Sequence, residues 1–317
     1  MRTPSFVFLA LLSLAPAQEL RRGLVAADAV LVGRQVGKKP HDDTVTLHRV
    51  QVLLDVRGAQ GATAVTVLDW PKLALHQRPQ PRQSRLYCLQ DAGKVADKLG
   101  LPATDGPYFR MVGHPGSHPL VGAETAADPY VRFAQLLAAS EAGAPPTDTA
   151  NGLFTTALQG DAAVRGEATR YLTERPDLCA KLGGLQWSQL VSRAAGETAD
   201  VPYKIALAEL CAEQRLEGVF DALVIGLTEI SDPEYARTVG RIGKVLHGED
   251  AATKLTERLR QAGQPATRAT LLLALGATNT QTALDALLRM DKKDVAVEAA
   301  LREHRSPKAQ EAAGTKK

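Results

Sequence analysis

The chain has 317 residues, of which 44% are hydrophobic, so it can fill two hydrophobic cores. Its formal net charge is +3, with lysine and arginine well mixed among the acids. Phosphate-tracking grooves need clustered Lys and Arg, and stacking on bases or sugars needs aromatic residues, which are only 4% of this chain. Composition therefore argues against a nucleic-acid partner.

The first twenty residues have the layout of a secretory signal. Arg2 precedes an apolar run from Phe6 to Leu14, and Ala15-Pro16-Ala17 forms a small-x-small cleavage site. An apolar run of this length is too short to span a bilayer core of about 30 Å, which disfavours the alternative of a membrane anchor. We expect residues 1–17 to be removed, leaving a secreted or periplasmic protein without an integral membrane segment.

Five short runs that are rich in Val, Leu and aromatic residues follow, divided by Gly, Pro and Asp. They predict a small antiparallel β-barrel or sandwich. The runs are 28–37, 44–56, 62–70, 84–90 and 107–113. In the second run, Val45 and Leu47 lie at odd-numbered positions, whereas Val50, Val52, Leu54 and Val56 lie at even-numbered positions. Because side chains alternate along a strand, this change predicts a β-bulge near His48-Arg49.

The segments "ADAVLVGRQVG", "VTLHRVQVLLDVRG", "TVLDW" and "QPRQSRLYCL" give residues 24–113 a loose resemblance to bacterial relatives of netrin and metalloproteinase-inhibitor modules. That resemblance implies an OB-like barrel. In the inhibitor family, an N-terminal cysteine makes the inhibitory contact. Here the predicted first residue is Gln18 and the family's disulfides are absent, so protease inhibition does not carry over.

A helix of about a dozen residues is predicted after the last strand. Asp128 is a candidate N-cap, Pro129 occupies the first helical position, and Tyr130, Phe133 and Leu137 form an apolar stripe at helical spacing. This helix completes a β domain over residues 18–140. The segment "EAGAPPTDT" at 141–149 predicts a linker.

The stretch "GDAAVRGEATRYLTERPD" at 160–177 predicts a helix with Val164, Ala168, Tyr171 and Leu172 on one face. Similar segments recur at intervals of about 30 to 38 residues, which is a solenoid period. Each has a candidate partner helix, at 184–194, 217–230, 250–263 and 280–290. Residues 150–304 therefore predict an α-solenoid, with an irregular helical bundle as the alternative and residues 305–317 as a disordered tail.

Val164-Arg165 followed by Ala168 and Leu172 resembles the short bacterial, lyase-type variety of the HEAT-repeat family. The resemblance implies stacked helix pairs whose second helices line a curved protein-binding surface. Small residues are expected where neighbouring helices approach closely, at Ala206, Ala208, Gly240 and Gly243. The polar side chains of the second helices include Gln189, Glu217, Lys254, Glu257, Arg258 and Asp285. Some HEAT-like relatives attach bilins in the cytoplasm, and export argues against that role here.

Three cysteines do not make a disulfide framework. Cys88 lies in a strand-like run, where a small buried thiol is expected. Cys179 and Cys211 are about one repeat apart, so they either form a bridge across adjacent helices or remain free. Free buried thiols are the favoured alternative.

Signatures of catalysis are sparse. "VGRIGKVL" has the Gly-Lys of a phosphate loop but lacks its upstream Gly and its Ser or Thr. His114 and His118 are four residues apart, but the intervening Pro and Gly prevent a helix that would align them, so a solvated turn is expected. His48 in the barrel could lie beside His76 and Asp69. We assign no catalytic, cofactor-binding or metal-binding residue.

The sequence thus predicts an α+β chain of two domains that acts as an exported, non-enzymatic binding or scaffold protein. We expect a monomer that binds a protein partner. Two alternatives stay open. One is a metal-dependent or other hydrolase with its site near His48, His76, His114 and His118 in the β domain. The other is an envelope structural protein that assembles with itself.

Overall fold

The computed structural model describes residues 20–71, 82–112, 118–122, 125, 127–196, 200–216 and 218–314. The contacts within the chain divide it into two compact units, Met1–Tyr171 and Leu172–Lys317. The first unit contains the strands, and the second is helical throughout its described residues. The chain is therefore of mixed α+β class.

The strands of the first unit form a closed barrel in the order β1-β2-β3-β5-β4. Neighbouring strands are antiparallel except β3 and β5, which are parallel. All five predicted strands are confirmed. They are β1 (Ala29–Pro40), β2 (Thr46–Arg57), β3 (Ala64–Asp69), β4 (Ser84–Asp91) and β5 (Tyr108–Met111).

The first unit also contains helices. They are α1 (residues 20–26), α2 (Gly93–Lys98), α3 (Pro129–Glu141), α4 (Pro146–Gln159) and α5 (Ala162–Thr173), the last of which ends just beyond the boundary. The predicted cap of α3 is confirmed, because the Asp128 carboxylate accepts the Tyr130 N–H at 2.9 Å. Of the predicted linker 141–149, only residues 142–145 lie between α3 and α4.

Strand β2 is covered on both faces in its first half. Val50 packs inside the barrel, whereas Val45 and Leu47 pack in an outer cluster with residues of α2. The register of β2 with β3 is unbroken over residues 46–51. The extra residue predicted in β2 near His48-Arg49 is therefore absent, although the register between β1 and β2 shifts at this point, where Gln35 pairs with Val50 and Gly37 with Arg49. The apolar parity changes because α2 covers the outer face there, so no inserted residue is needed.

The register irregularities of the barrel lie in the β1–β2 pair. Its register shifts between Val30 and Leu31, between Val32 and Gly33, and between Gln35 and Gly37. Such shifts bend and twist strands, which lets a few strands curl into a closed barrel. Gly33 lies at one of these shifts, and a Cβ there would come within 2.6 Å of the Val50 side chain.

The second unit consists of short helices joined by tight connections. They are α6 (Pro176–Cys179), α7 (Gly184–Ala195), α8 (Val201–Glu213), α9 (Val219–Gly226), α10 (Pro233–His247), α11 (Asp250–Gln261), α12 (Pro265–Ala277), α13 (Gln281–Leu288), α14 (Val295–Glu303) and α15 (Pro307–Ala312). The four predicted partner helices correspond to α7, α9, α11 and α13.

Alternate helices contact each other in the second unit. Helix α10 packs against α8 and α12, α12 packs against α14, and α11 packs against α13. Two glycines make the closest approaches. A Cβ on Gly240 would lie 2.2 Å from the Ala274 carbonyl oxygen on α12, and one on Gly276 would lie 2.2 Å from the Ala300 carbonyl oxygen on α14. The predicted close approach at Gly240 is confirmed.

The predicted helical face of 160–177 is also confirmed, since Val164, Ala168 and Leu172 are buried. The disordered tail predicted over 305–317 is wrong for residues 307–312, which form α15. Ser306 caps this helix by accepting the Ala309 N–H, and Ala309 is fully buried. The polar composition of the segment predicted disorder, but Ser306 provides an N-cap and the side chain of Ala309 is buried.

Candidate functional site

A groove of about 530 Å³ lies between α11 and α13 in the helical unit. Side chains from both helices, together with Arg268 of α12, form its walls. The lining residues that carry charge or a hydroxyl are Thr253, Thr256, Glu257, Arg260, Arg268, Thr282, Asp285 and Arg289. The groove therefore combines two carboxylates with three guanidinium groups.

Helical periodicity explains why these side chains line an open groove. Leu255 and Leu259 of α11 and Leu284 and Leu287 of α13 are buried, and they hold the two helices on the core. The charged residues of each helix lie on the face opposite these leucines. The walls of the groove are thus fixed by the packing beneath them.

The two helices begin at the same end of the groove. The Glu249 carboxylate, immediately before α11, accepts the backbone N–H groups of Gln281 at 3.2 Å and Thr282 at 2.8 Å, at the start of α13. These hydrogen bonds, chiefly the one from Thr282, lower the pKa of Glu249. Because Glu249 caps the neighbouring helix, it fixes the spacing between the two walls.

Charge is distributed unevenly along the groove. Arg260 lies in the last turn of α11 and Arg289 immediately follows α13, so both arginines are at the carboxyl-terminal ends of these helices. Glu257 and Asp285 precede them by about one turn. Arg268 is paired at 3.1 Å with Asp294, whereas Arg260 and Arg289 are exposed. The groove has a basic end next to an acidic centre.

The polar side chains predicted to form one binding face are only partly brought together. Glu257 and Asp285 line the groove. Lys254 instead bonds to Asp221 of α9 at 2.7 Å, and Arg258 bonds to Gln261. Gln189 is exposed on α7, and Glu217 lies outside the described residues.

Arg260 and Arg289 were not among the predicted binding residues. Their spacing gave a usable signal, since each follows a predicted acidic residue by three or four positions. On a helix, that spacing places the two side chains next to each other.

A buried cation in the same unit has a structural role. The Lys204 side chain is fully buried, and its Nζ donates to the Gly196 carbonyl oxygen at 2.7 Å and the Ala195 carbonyl oxygen at 3.4 Å. It also lies 5.0 Å from the centre of the Tyr235 ring. These carbonyls end α7, so the ammonium group caps that helix and complements its dipole.

In the barrel, His48 and Asp69 do lie together, as the sequence suggested. The distance between His48 Nε2 and Asp69 Oδ2 is 3.4 Å. Only 1% of His48 and 6% of Asp69 are exposed, so the pair belongs to the barrel interior rather than an open cleft. His76 lies outside the described residues.

His118 is a core residue, and the solvated turn predicted for it is wrong. Its Nδ1 accepts the Cys88 N–H at 3.2 Å and its Nε2–H donates to the Val112 carbonyl oxygen at 2.8 Å. Both ring nitrogens are thus engaged by the backbone, and burial lowers the His118 pKa to about 4. His114 lies outside the described residues, among which no group of three or more His, Cys, Asp or Glu could hold a metal ion.

All three cysteines are buried and free, in agreement with the favoured expectation for Cys179 and Cys211. Burial raises the pKa of Cys88 and of Cys211 to about 12 and that of Cys179 to about 11. Thiols in this state are poor nucleophiles at neutral pH.

Within the described part of the chain, no helix is both long and apolar enough to cross a membrane. Comparison with known proteins adds no assignment. The chain matches no protein-family model, no curated protein and no solved structure. The groove between α11 and α13 is therefore the candidate functional site.

Proposed function

We propose that this protein is an exported binding protein that holds a segment of a protein partner in the groove between α11 and α13. One observation carries the proposal. The groove has an exposed basic end at Arg260 and Arg289 beside an acidic centre at Glu257 and Asp285, on walls fixed by buried leucines. Fixed charges of both signs favour a ligand with complementary charges at a matching spacing.

The architecture supports this proposal. We propose that residues 150–304 form a HEAT-like solenoid, because alternate helices of the second unit contact each other and the predicted partner helices occur at the expected positions. We also propose that the barrel is OB-like. Its support is the five-stranded closed order β1-β2-β3-β5-β4 with one parallel pair. Solenoids bind partners along the surface formed by one layer of helices.

The groove defines the chemistry of the partner segment. A carboxylate of the partner would meet Arg260 and Arg289, since guanidinium groups bind carboxylates through paired, charge-assisted hydrogen bonds. A lysine or arginine of the partner would meet Glu257 and Asp285. The ligand is therefore a peptide segment that carries an acidic group and a basic group about one helical turn apart.

Export rests on the predicted signal at residues 1–17 and has its own test. Mass spectrometry of the protein from the exported fraction should find a chain that begins at Gln18. A chain that retains residues 1–17 in the cell interior would contradict export. The mature chain is proposed to be a monomer, which light scattering over a concentration series checks against self-assembly.

The binding experiment uses the full mature chain as bait in the exported fraction of its own cells. The groove variant is Arg260→Glu/Arg289→Glu. Its matched control is Arg305→Glu/Lys308→Glu, which makes the same change in net charge at exposed positions near α15. Circular dichroism verifies that all three proteins are folded.

A partner captured equally by the wild type and the control, but at least about tenfold less by the groove variant, supports the proposal. A partner retained equally by all three proteins would place the interface elsewhere. Equal loss from both variants would show a nonspecific charge effect and would contradict the groove.

A further inference from the structure

The barrel carries a second concave site that the proposed function does not use. It is a cleft of about 310 Å³ on the outer side of β1, β2 and β3. Lys38 and Lys39 from the end of β1, Arg49 from β2, Thr66 from β3 and Asp105 from the segment before β5 line it. Its charged side chains are three cations and one carboxylate.

Arg49 is held in a defined orientation in this cleft. Its Nη1 donates to the Asp105 backbone carbonyl oxygen at 2.8 Å and to Thr66 Oγ1 at 3.2 Å. Both acceptors are uncharged, so these bonds position the guanidinium group without neutralising it. Since both bonds use Nη1, the hydrogens on Nη2 and Nε are available to a ligand. Thr66 Oγ1 also donates to the Asp105 carbonyl oxygen, which fixes the acceptor.

Lys38 and Lys39 add two exposed charges beside Arg49. Neither lysine forms an ion pair with another described residue. Asp42, in the β1–β2 turn, accepts hydrogen bonds from Thr44 and Val45. These bonds, chiefly the one from the Thr44 hydroxyl, lower the Asp42 pKa. The Asp42 carboxylate is thus engaged in hydrogen bonds within the turn. Asp105 is the acidic residue that lines the cleft.

We propose that this cleft binds the phosphate or sulfate group of a small ligand. Three cations, one of which is an oriented guanidinium group, match an oxyanion that carries about two charges and several acceptor oxygens. The cleft is much larger than a free oxyanion. The remaining space, bordered by Leu47 and Gly37, takes the body of a ligand such as a phosphorylated or sulfated sugar.

The site belongs to the barrel and is independent of the groove proposed to bind protein. The sequence carries a signal for this site in "GKKP" at residues 37–40. Pairing of β1 with β2 brings Arg49 beside the two lysines, whereas Asp105 is remote in sequence and reaches the cleft only through the folded barrel.

The test is isothermal titration of the full mature chain with inorganic phosphate and, separately, with inorganic sulfate at low ionic strength. Chloride, added as sodium chloride, is the reference anion. The variant is Lys38→Gln/Lys39→Gln, and the matched control is Lys94→Gln/Lys98→Gln, which removes two exposed lysines from α2. A third protein, Arg49→Lys, keeps the charge but loses the guanidinium fork.

We expect saturable binding of phosphate or sulfate that is at least about tenfold tighter than chloride binding. Lys38→Gln/Lys39→Gln should weaken it at least about tenfold and Arg49→Lys severalfold, with the control within about twofold of the wild type. Preference for phosphate points to a phosphoryl ligand, and preference for sulfate to a sulfated one. Binding no tighter than that of chloride, or equal weakening in the control, would overturn the proposal.

Discussion

Replacing His118 by glutamine should remove a specific part of the pH dependence of barrel stability. The imidazole of His118 accepts the Cys88 N–H and donates to the Val112 carbonyl oxygen, so it joins β4 to the segment that follows β5. A glutamine amide also offers one acceptor and a donor, but it does not titrate. The variant therefore separates the ionisation of His118 from its hydrogen bonding.

The magnitude follows from the His118 pKa, which burial lowers from 6.5 to about 4 in the folded protein. Because the folded pKa is depressed, the neutral ring favours folding above pH 6.5. That contribution is lost as the pH falls from 6.5 towards 4. Within this pH range, His118 is protonated in the unfolded chain but stays neutral in the folded chain. Between pH 7.5 and pH 5, the free energy of unfolding should fall by about 2 kcal/mol from this residue alone.

Urea unfolding at a series of pH values measures this effect. Trp70 reports on the barrel unit and Trp187 lies on α7, so a Trp187→Phe background isolates the barrel transition. The difference in unfolding free energy between wild type and His118→Gln should change by about 2 kcal/mol from pH 7.5 to pH 5. His41→Gln, at an exposed position, is the control. If the unfolding free energies of the wild type and His118→Gln change in parallel with pH, the ionisation of His118 does not contribute to barrel stability.

Two further predictions concern the helical packing and the thiols. Gly240→Ala and Gly276→Ala should each destabilise the helical unit by about 1–3 kcal/mol in urea unfolding, because the added methyl group meets a backbone carbonyl of the next helix. Gly263→Ala, where a Cβ meets no other atom, should be neutral. Equal effects at all three glycines would contradict the packing. All three cysteines should label with a thiol reagent at pH 8 only after unfolding, since burial raises their pKa values; rapid labelling of the folded chain would contradict their burial.

Local patterns predicted the secondary structure of this chain well. Alternating apolar residues and Gly or Pro boundaries located all five strands. Asp128 followed by Pro129 marked the start of α3, because capping and proline geometry depend only on residues within one turn. Helical periodicity located the helices on both sides of the groove for the same reason.

Features that depend on distant residues were mispredicted. His118 lies in a Gly- and Pro-rich stretch that indicates a solvated turn, but it is buried because β4 supplies the Cys88 N–H. The parity change in β2 suggested a bulge, but α2 covers the second face of that strand. Neither partner is close to its target in the sequence, so no local pattern could identify it.

The candidate site was predicted only in part. Glu257 and Asp285 were selected as polar residues on second helices, and both line the groove. Arg268 comes from α12, and its place in the groove depends on the packing of three helices. The sequence thus indicated the surface, whereas the structure defines its charge pattern.

The proposed function requires that the groove between α11 and α13 contacts a protein partner. Photo-crosslinking tests it directly, with benzoylphenylalanine in place of Glu257 in the groove and, in a second protein, in place of the exposed Lys308. In the exported fraction, the probe at position 257 should give one discrete adduct that the probe at position 308 does not give. The absence of an adduct at 257, or the same adduct at both positions, would contradict the claim.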